Sequence, residues 1–246
     1  MAHPSSGPMS WYRRRALRAA LFLSLWLLPI CGLSQSSSGP HAPDSALVTR
    51  LKAALLLETL NAELLTQASA TATLEGWCAS HGLAAPPKIV AERVPNVEKM
   101  PTEEQRRELR VTPTDTVRYR RVKLLCGSIV LSVADNWYVP GRLTPEMNKL
   151  LDTTDTPFGR VVKNLDFQRH TISAKVLAPL LPAGWETMPP ARIEEMGEPC
   201  LPDRLLEHRA LLTLPDGTPF SEVVETYTGG VLSMPVLGLH HSCSDE

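Results

Sequence analysis

Arg121 and the turn Thr156-Pro157-Phe158-Gly159-Arg160 are the residues of this chain whose chemistry reads most directly. A guanidinium is a planar fork that matches a carboxylate, and a turn can present free backbone N–H groups to the same kind of group. Together they suit a small carboxylate ligand. Arg121 has basic neighbours in Arg118, Arg120 and Lys123. Strand alternation puts Arg118 and Arg120 on one face and Arg121 and Lys123 on the other, which splits the basic patch. Two acids stand further on, in Phe220-Ser221-Glu222-Val223-Val224-Glu225-Thr226-Tyr227. Glu222 and Glu225 have opposite parity, so a regular strand turns only one of them inward.

These groups need a frame. Val122, Leu124 and Cys126 alternate with Arg121, Lys123 and Leu125; Cys126-Gly127-Ser128 offers a turn; Ile129 to Val139 is β-branched and aromatic. That is a strand, a turn and a strand. The chain leaves the second strand at Pro140-Gly141 and crosses a short helical segment, Pro145 to Leu151, before the Thr156 turn. Upstream, Ala46 to Gln67 has leucines at helical spacing, with Asn61 a place where the helix could break. Thr71 to Leu74 connects it to a second helix, Leu74 to His81, closed by Gly82. Ile89 to Val94 reads as a strand, and Thr102 caps a charged helical stretch. Downstream, Arg209 to Leu214 and Pro219 to Tyr227 form a hairpin across Pro215-Asp216-Gly217. Between them Leu177 to Asp203 is proline-rich, either a flap over a pocket or a long insertion. The class is α+β: helices first, then a mostly antiparallel sheet covered by helices.

The arginine strand with Leu124-Leu125-Cys126, the second strand closing on Tyr138-Val139-Pro140, and the Thr156-Pro157-Phe158-Gly159-Arg160 turn resemble chorismate–pyruvate lyase. The same fold serves as the effector-binding domain of some bacterial transcription regulators. The resemblance spans Leu55 to Gly230 and is sharpest at the turn. It implies one antiparallel sheet with helices over it, a buried pocket, and release of 4-hydroxybenzoate and pyruvate from chorismate with neither metal nor cofactor. It also implies the site: Arg121 on the ring carboxylate, backbone N–H groups at Leu74 and Phe158 beside it, and Glu225 at the far end for proton transfer. Glu225 matches only after one extra residue is allowed, which keeps Glu222 as the alternate. A small aromatic carboxylate is the expected ligand.

The remaining residues bound the reading. In 246 residues with a formal net charge of -1 there is room for one core with extensions and no excess of positive charge to draw nucleic acid. Residues 1–43 hold no acid, and Arg13, Arg14, Arg15 and Arg18 precede the apolar run Ala19 to Leu33 and then Ser34-Gln35-Ser36. That is the layout of a secretory signal peptide, which implies a secreted or periplasmic protein without a stable membrane span after cleavage. An uncleaved membrane anchor, an organelle transit peptide or an added upstream start are the alternatives. The domain occupies residues 44–235, and residues 236–246 form a tail whose His240-His241-Ser242-Cys243 lacks a second cluster of zinc-like spacing. His170 reads as structural. The four cysteines beyond Cys31 are compatible with two disulfides or with Cys126 as a free core thiol; at most one bridge is expected, with Cys78 or Cys200 to Cys243 a candidate pairing. Export conflicts with an intracellular substrate. The lyase therefore has a competitor, an exported binder of a small aromatic carboxylate that uses the same pocket without turnover.

Overall fold

The computed structural model describes residues 44–237 and 239; the signal-like segment and the His-His-Cys cluster lie outside the described residues. The described residues form one compact unit. Ser45 caps the first helix, α1 (Ala46–Thr66), by accepting from the Val48 N–H. Leu57, Leu60 and Leu64 bury one face of it. The helix runs unbroken through Asn61, whose Oδ1 lies 2.8 Å from Nε2 of the buried His208. The second helix, α2 (Ala70–Ser80), begins four residues earlier than the leucine pattern suggests, because Ser69 caps it through the Ala72 N–H. It ends before Gly82, whose φ of +61° suits the left-handed turn.

Next come β1 (Ile89–Arg93) and α3 (Glu103–Glu108), the latter started by a Thr102–Gln105 capping box. The hairpin expected around Gly127 is β2 (Arg118–Cys126) and β3 (Ile129–Tyr138), with one bulge opposite Leu124 and Leu125. Short helices α4 (Pro145–Thr153) and α5 (Phe158–Val161) lead to β4 (Gln168–Val176). The proline-rich stretch contains α6 (Pro190–Glu194), and β5 (Leu206–Thr213) and β6 (Pro219–Tyr227) close the chain across Gly217.

All six strands pair antiparallel in the order β1-β2-β3-β6-β5-β4. This is the α+β architecture, an antiparallel sheet with helices, that the sequence implies. One sheet face carries Val122, Leu124, Ala134, Val223, Ala210 and Tyr227 and packs against the leucines of α1 and against Leu74 and Trp77 of α2. A second core gathers Tyr138, Leu151, Phe158, Val161, Leu212 and Phe220 around α4 and α5. The opposite face receives α3, where Arg209 reaches Glu104, Glu108 and Glu222. Among the described residues no helix is long and apolar enough to cross a membrane.

One expectation changes. Cys126 is not a core thiol but is bridged to Cys78, tying the end of β2 to α2, and Cys200 is disulfide-bonded as well, so the limit of one bridge is exceeded. Of the two readings left open for the proline-rich stretch, flap or long insertion, the packing favours the insertion. It packs along α1, with Arg50 donating to the carbonyls of Leu180 and Gly197, and buries Leu180, Ile193 and Leu201.

Candidate functional site

A cavity lies where the two cores meet, under the first turns of α2 and α5. The Thr156 turn explains its roof residue by residue. Pro157 stops the preceding coil with φ fixed for a helix start, and Phe158 drops into an aromatic cluster with Tyr138 and Phe220, ring centroids 5.7 and 6.3 Å away. Gly159 has no side chain where a Cβ would come within 3.1 Å of Ser69 Oγ and 3.3 Å of Thr71 Oγ1. That absence lets the starts of α2 and α5 touch. Arg160 turns away and binds Glu75 at 2.7 Å and the Ile89 carbonyl at 3.2 Å. The turn arginine is therefore a tie between α2 and β1.

The floor is the sheet: Arg120, Val122 and Leu124 from β2, Ala134 and Asn136 from β3, Val223 and Glu225 from β6. Arg120 is 8% exposed; among the described residues its Nε has no partner and its one hydrogen bond is a long one to the Thr156 carbonyl at 3.3 Å. No carboxylate pairs with it among the described residues. Burial holds its pKa below the ordinary guanidinium value, the sign of a charge short of compensation. Ala70, Thr71, Phe158 and Gly159 line the same cavity from helical first turns, where N–H groups have no carbonyl partner of their own. The positive end of the α2 dipole adds to the field. A guanidinium and several amide donors facing one space of about 40 Å³ make an anion-binding arrangement.

The other end of the cavity is neutral in sum. Glu225 accepts from Arg169 Nη2 at 2.8 Å and from the Tyr227 hydroxyl at 3.1 Å. Both members of the ion pair are buried, with side chains 4% and 7% exposed. Burial works against the Arg169 charge, and Glu225 more than offsets it, leaving the Arg169 pKa above its ordinary value. Burial also pushes the Tyr227 hydroxyl up, with Glu225 adding to the shift.

The expected site residues are only partly together. Glu225 and Phe158 line the cavity. Arg121 does not: β2 buries Arg120, Val122, Leu124 and Cys126 on one face, so Arg121 projects from the other. There its Nε lies 3.6 Å from Asp135 in a groove of about 940 Å³ on the far side of the sheet. Leu74 is fully buried in the core and sits past the first turn of α2, where its N–H is committed to the helix; Ala70 and Thr71 hold the place assigned to it. Glu222, the alternate, is on the far face, accepting from Arg209 Nε at 2.7 Å and from Gln105 at 3.1 Å. His170 lies 3.0 Å from Thr213 Oγ1 and does not line the cavity. Arg120, Arg169 and Asn136 line the cavity and are not among the residues the sequence points to. The signal for Arg120 was its parity with Val122 and Leu124; β4, which carries Arg169, has no apolar alternation to reveal it as a strand. No cluster of three or more His, Cys, Asp or Glu among the described residues has the arrangement to hold a metal ion.

No family model matches the chain. It is 47% identical over 204 residues to the uncharacterized protein y4mC of Sinorhizobium fredii, covering 82% of this chain and 84% of that one. The chain belongs to the y4mC family. It is also similar in structure to PhnF from Mycobacterium smegmatis, at 10% identity and a TM-score of 0.43, covering 74% of this chain and 70% of PhnF; the effector domain of PhnF alone matches at 0.41. The C-terminal domain of the histidine utilization repressor from Pseudomonas syringae matches at 13% identity and 0.37, covering 65% of this chain and 99% of that one. The expectation of a secreted or periplasmic protein is corrected on this finding, since the matched proteins are a repressor and other transcriptional regulators, and it is not carried further.

Proposed function

We propose that this domain binds a small organic acid, with the carboxylate seated on Arg120 and on the amide donors of the α2 and α5 first turns. Arg120 carries the reading. A buried charge without a partner is destabilising by several kcal/mol, roughly 3–5 kcal/mol when a buried pair is broken, and a bound carboxylate supplies the missing partner. The walls, Phe158, Phe167, Leu212 and Val223, are apolar and suit an aromatic body. In the measure in which one water needs roughly 10–15 Å³, about 40 Å³ holds a small acid group. A ring behind it requires side chains of the wall to shift. The effector domain among the similar structures supports a binding role.

Lyase activity is the second reading, favoured by Glu225 in the same cavity as Arg120. In that reaction Glu225 would move a proton while the pocket holds chorismate in its reactive conformer. Its engagement by Arg169 and Tyr227 makes binding without turnover the better account. The test is calorimetric titration of the full chain with 4-hydroxybenzoate, beside incubation with chorismate. Saturable binding is expected, weakened by roughly thirtyfold or more in Arg120→Ala, the scale of about 2–5 kcal/mol for removing one partner of a buried charge contact. Arg121→Ala should bind normally. Loss in Arg121→Ala with retention in Arg120→Ala would move the site to the other face. Release of pyruvate from chorismate would establish the lyase.

A further inference from the structure

Asn136 brings a polar amide to the floor of the cavity and bonds only half of it among the described residues. In the sheet it stands directly opposite Arg120 of β2 on one side and Val223 of β6 on the other, so the three side chains share a face. Side chains paired in this way have Cβ atoms about 4.5–5.5 Å apart. Asn136 is 5% exposed and lines the cavity among Ala134, Phe158 and Val223. An amide buried among apolar groups is costly unless its donors and its acceptor find partners. The acceptor has one. Ser221, fully buried two residues before Val223, donates its hydroxyl to Asn136 Oδ1 at 2.7 Å. A carbonyl oxygen only accepts, so this bond holds the oxygen toward β6 and turns Nδ2 the other way. Among the described residues Nδ2 donates to no group.

We propose that Asn136 is the second side chain that grips the bound acid: Nδ2 donates to one carboxylate oxygen, Arg120 takes the other, and Ser221 positions the amide. The inference rests on the binding role proposed for Arg120 and adds the residue that fixes how the acid group is turned. A carboxylate has two oxygens and about four lone-pair sites, more than one guanidinium in a narrow space can meet. A neutral donor set beside the cation supplies a directed bond without a second charge to bury.

The experiment is calorimetric titration of the full chain with 4-hydroxybenzoate, beside melting curves of the ligand-free protein. Asn136→Ala should weaken binding by roughly tenfold or more, the scale of a hydrogen bond to a charged group. Asn136→Asp keeps the shape and the acceptor for Ser221 but sets a carboxylate where Nδ2 stood. It should abolish binding and leave the melting temperature of the ligand-free protein at or above that of wild type, because Arg120 then has a partner within the chain. A disturbed fold would lower binding and melting temperature together, and that result in Asn136→Asp would overturn the assignment. So would wild-type affinity in either variant, with the Arg120 site left standing if Arg120→Ala still loses binding. Absence of saturable binding in the wild type would overturn both.

Discussion

Arg120 and Arg121 are adjacent in the chain and answer to different chemistry. Arg121 sits beside Asp135, which also takes Lys99 and the Tyr119 hydroxyl, and its side chain is a third exposed. Among the described residues Arg120 has no such ion pair, and Asp155 and Asp152 act on its charge without offsetting its burial. At the cavity's other end the Arg169–Glu225 pair is worth little over an apolar replacement but much over a broken pair. Glu225→Gln should therefore cost about 3–5 kcal/mol in urea unfolding. A double replacement of Arg169 and Glu225 by apolar residues should cost much less than the single one, and equal losses would show that the pair is not the source. The alternation that assigns Arg120 to the core was legible from Val122, Leu124 and Cys126. The family likeness pointed one residue further on, and here the pleat overrides it.

Elements hold these residues in place through a few contacts that can be tested singly. The Cys78–Cys126 bridge joins the helix whose first turn roofs the site to the strand that carries Arg120. It closes 48 residues of chain, for which loop entropy alone suggests about 4 kcal/mol. Replacing both cysteines by alanine should lower the melting temperature and weaken 4-hydroxybenzoate binding together; a change in one without the other would separate the bridge from the site. Gly159→Ala would press a methyl against Ser69 and Thr71, and an overpacking cost of about 1–3 kcal/mol should appear mostly as weaker binding. On the opposite face α3 docks through Glu108. Its pKa is raised by burial, by a hydrogen bond to Glu222 and by that residue's charge. A carboxyl raised in the folded state stabilises it at low pH and loses that contribution as pH rises through the raised value. Glu108→Gln should flatten the decline of melting temperature above about pH 4.5, the ordinary value. An unchanged slope would remove Glu108 as its cause. The hairpin turns at Gly127 and Gly217 were plain in the sequence because only a positive φ explains glycine there. The start of α2 was not, since Ala70-Thr71-Ala72-Thr73 lacks an apolar stripe and only Ser69 marks the cap.

At the scale of the molecule the cavity is a defect shared by two cores, so its occupant should stabilise both. A ligand at a hundred times its Kd adds about 2.7 kcal/mol. For a unit of this length each kcal/mol moves the melting temperature by roughly 2–4 °C. Saturating 4-hydroxybenzoate should then raise it by about 5–10 °C, and Arg120→Ala should show no rise. The sheet's class and its two hairpins were readable from alternation and turn chemistry. β4 was not, because an edge strand with both faces largely exposed carries no buried stripe.

The neutral pair formed by Arg169 and Glu225 has one more consequence, in the arithmetic of charge. With that pair cancelled, the cavity's side chains sum to a single positive charge, that of Arg120. A monovalent acid closes the account at zero. A divalent one, such as chorismate, brings a second negative charge into a buried space where Glu225 already stands, and nothing there answers it. Discrimination should follow valence before shape: benzoates with one acid group held, dicarboxylates of similar bulk refused.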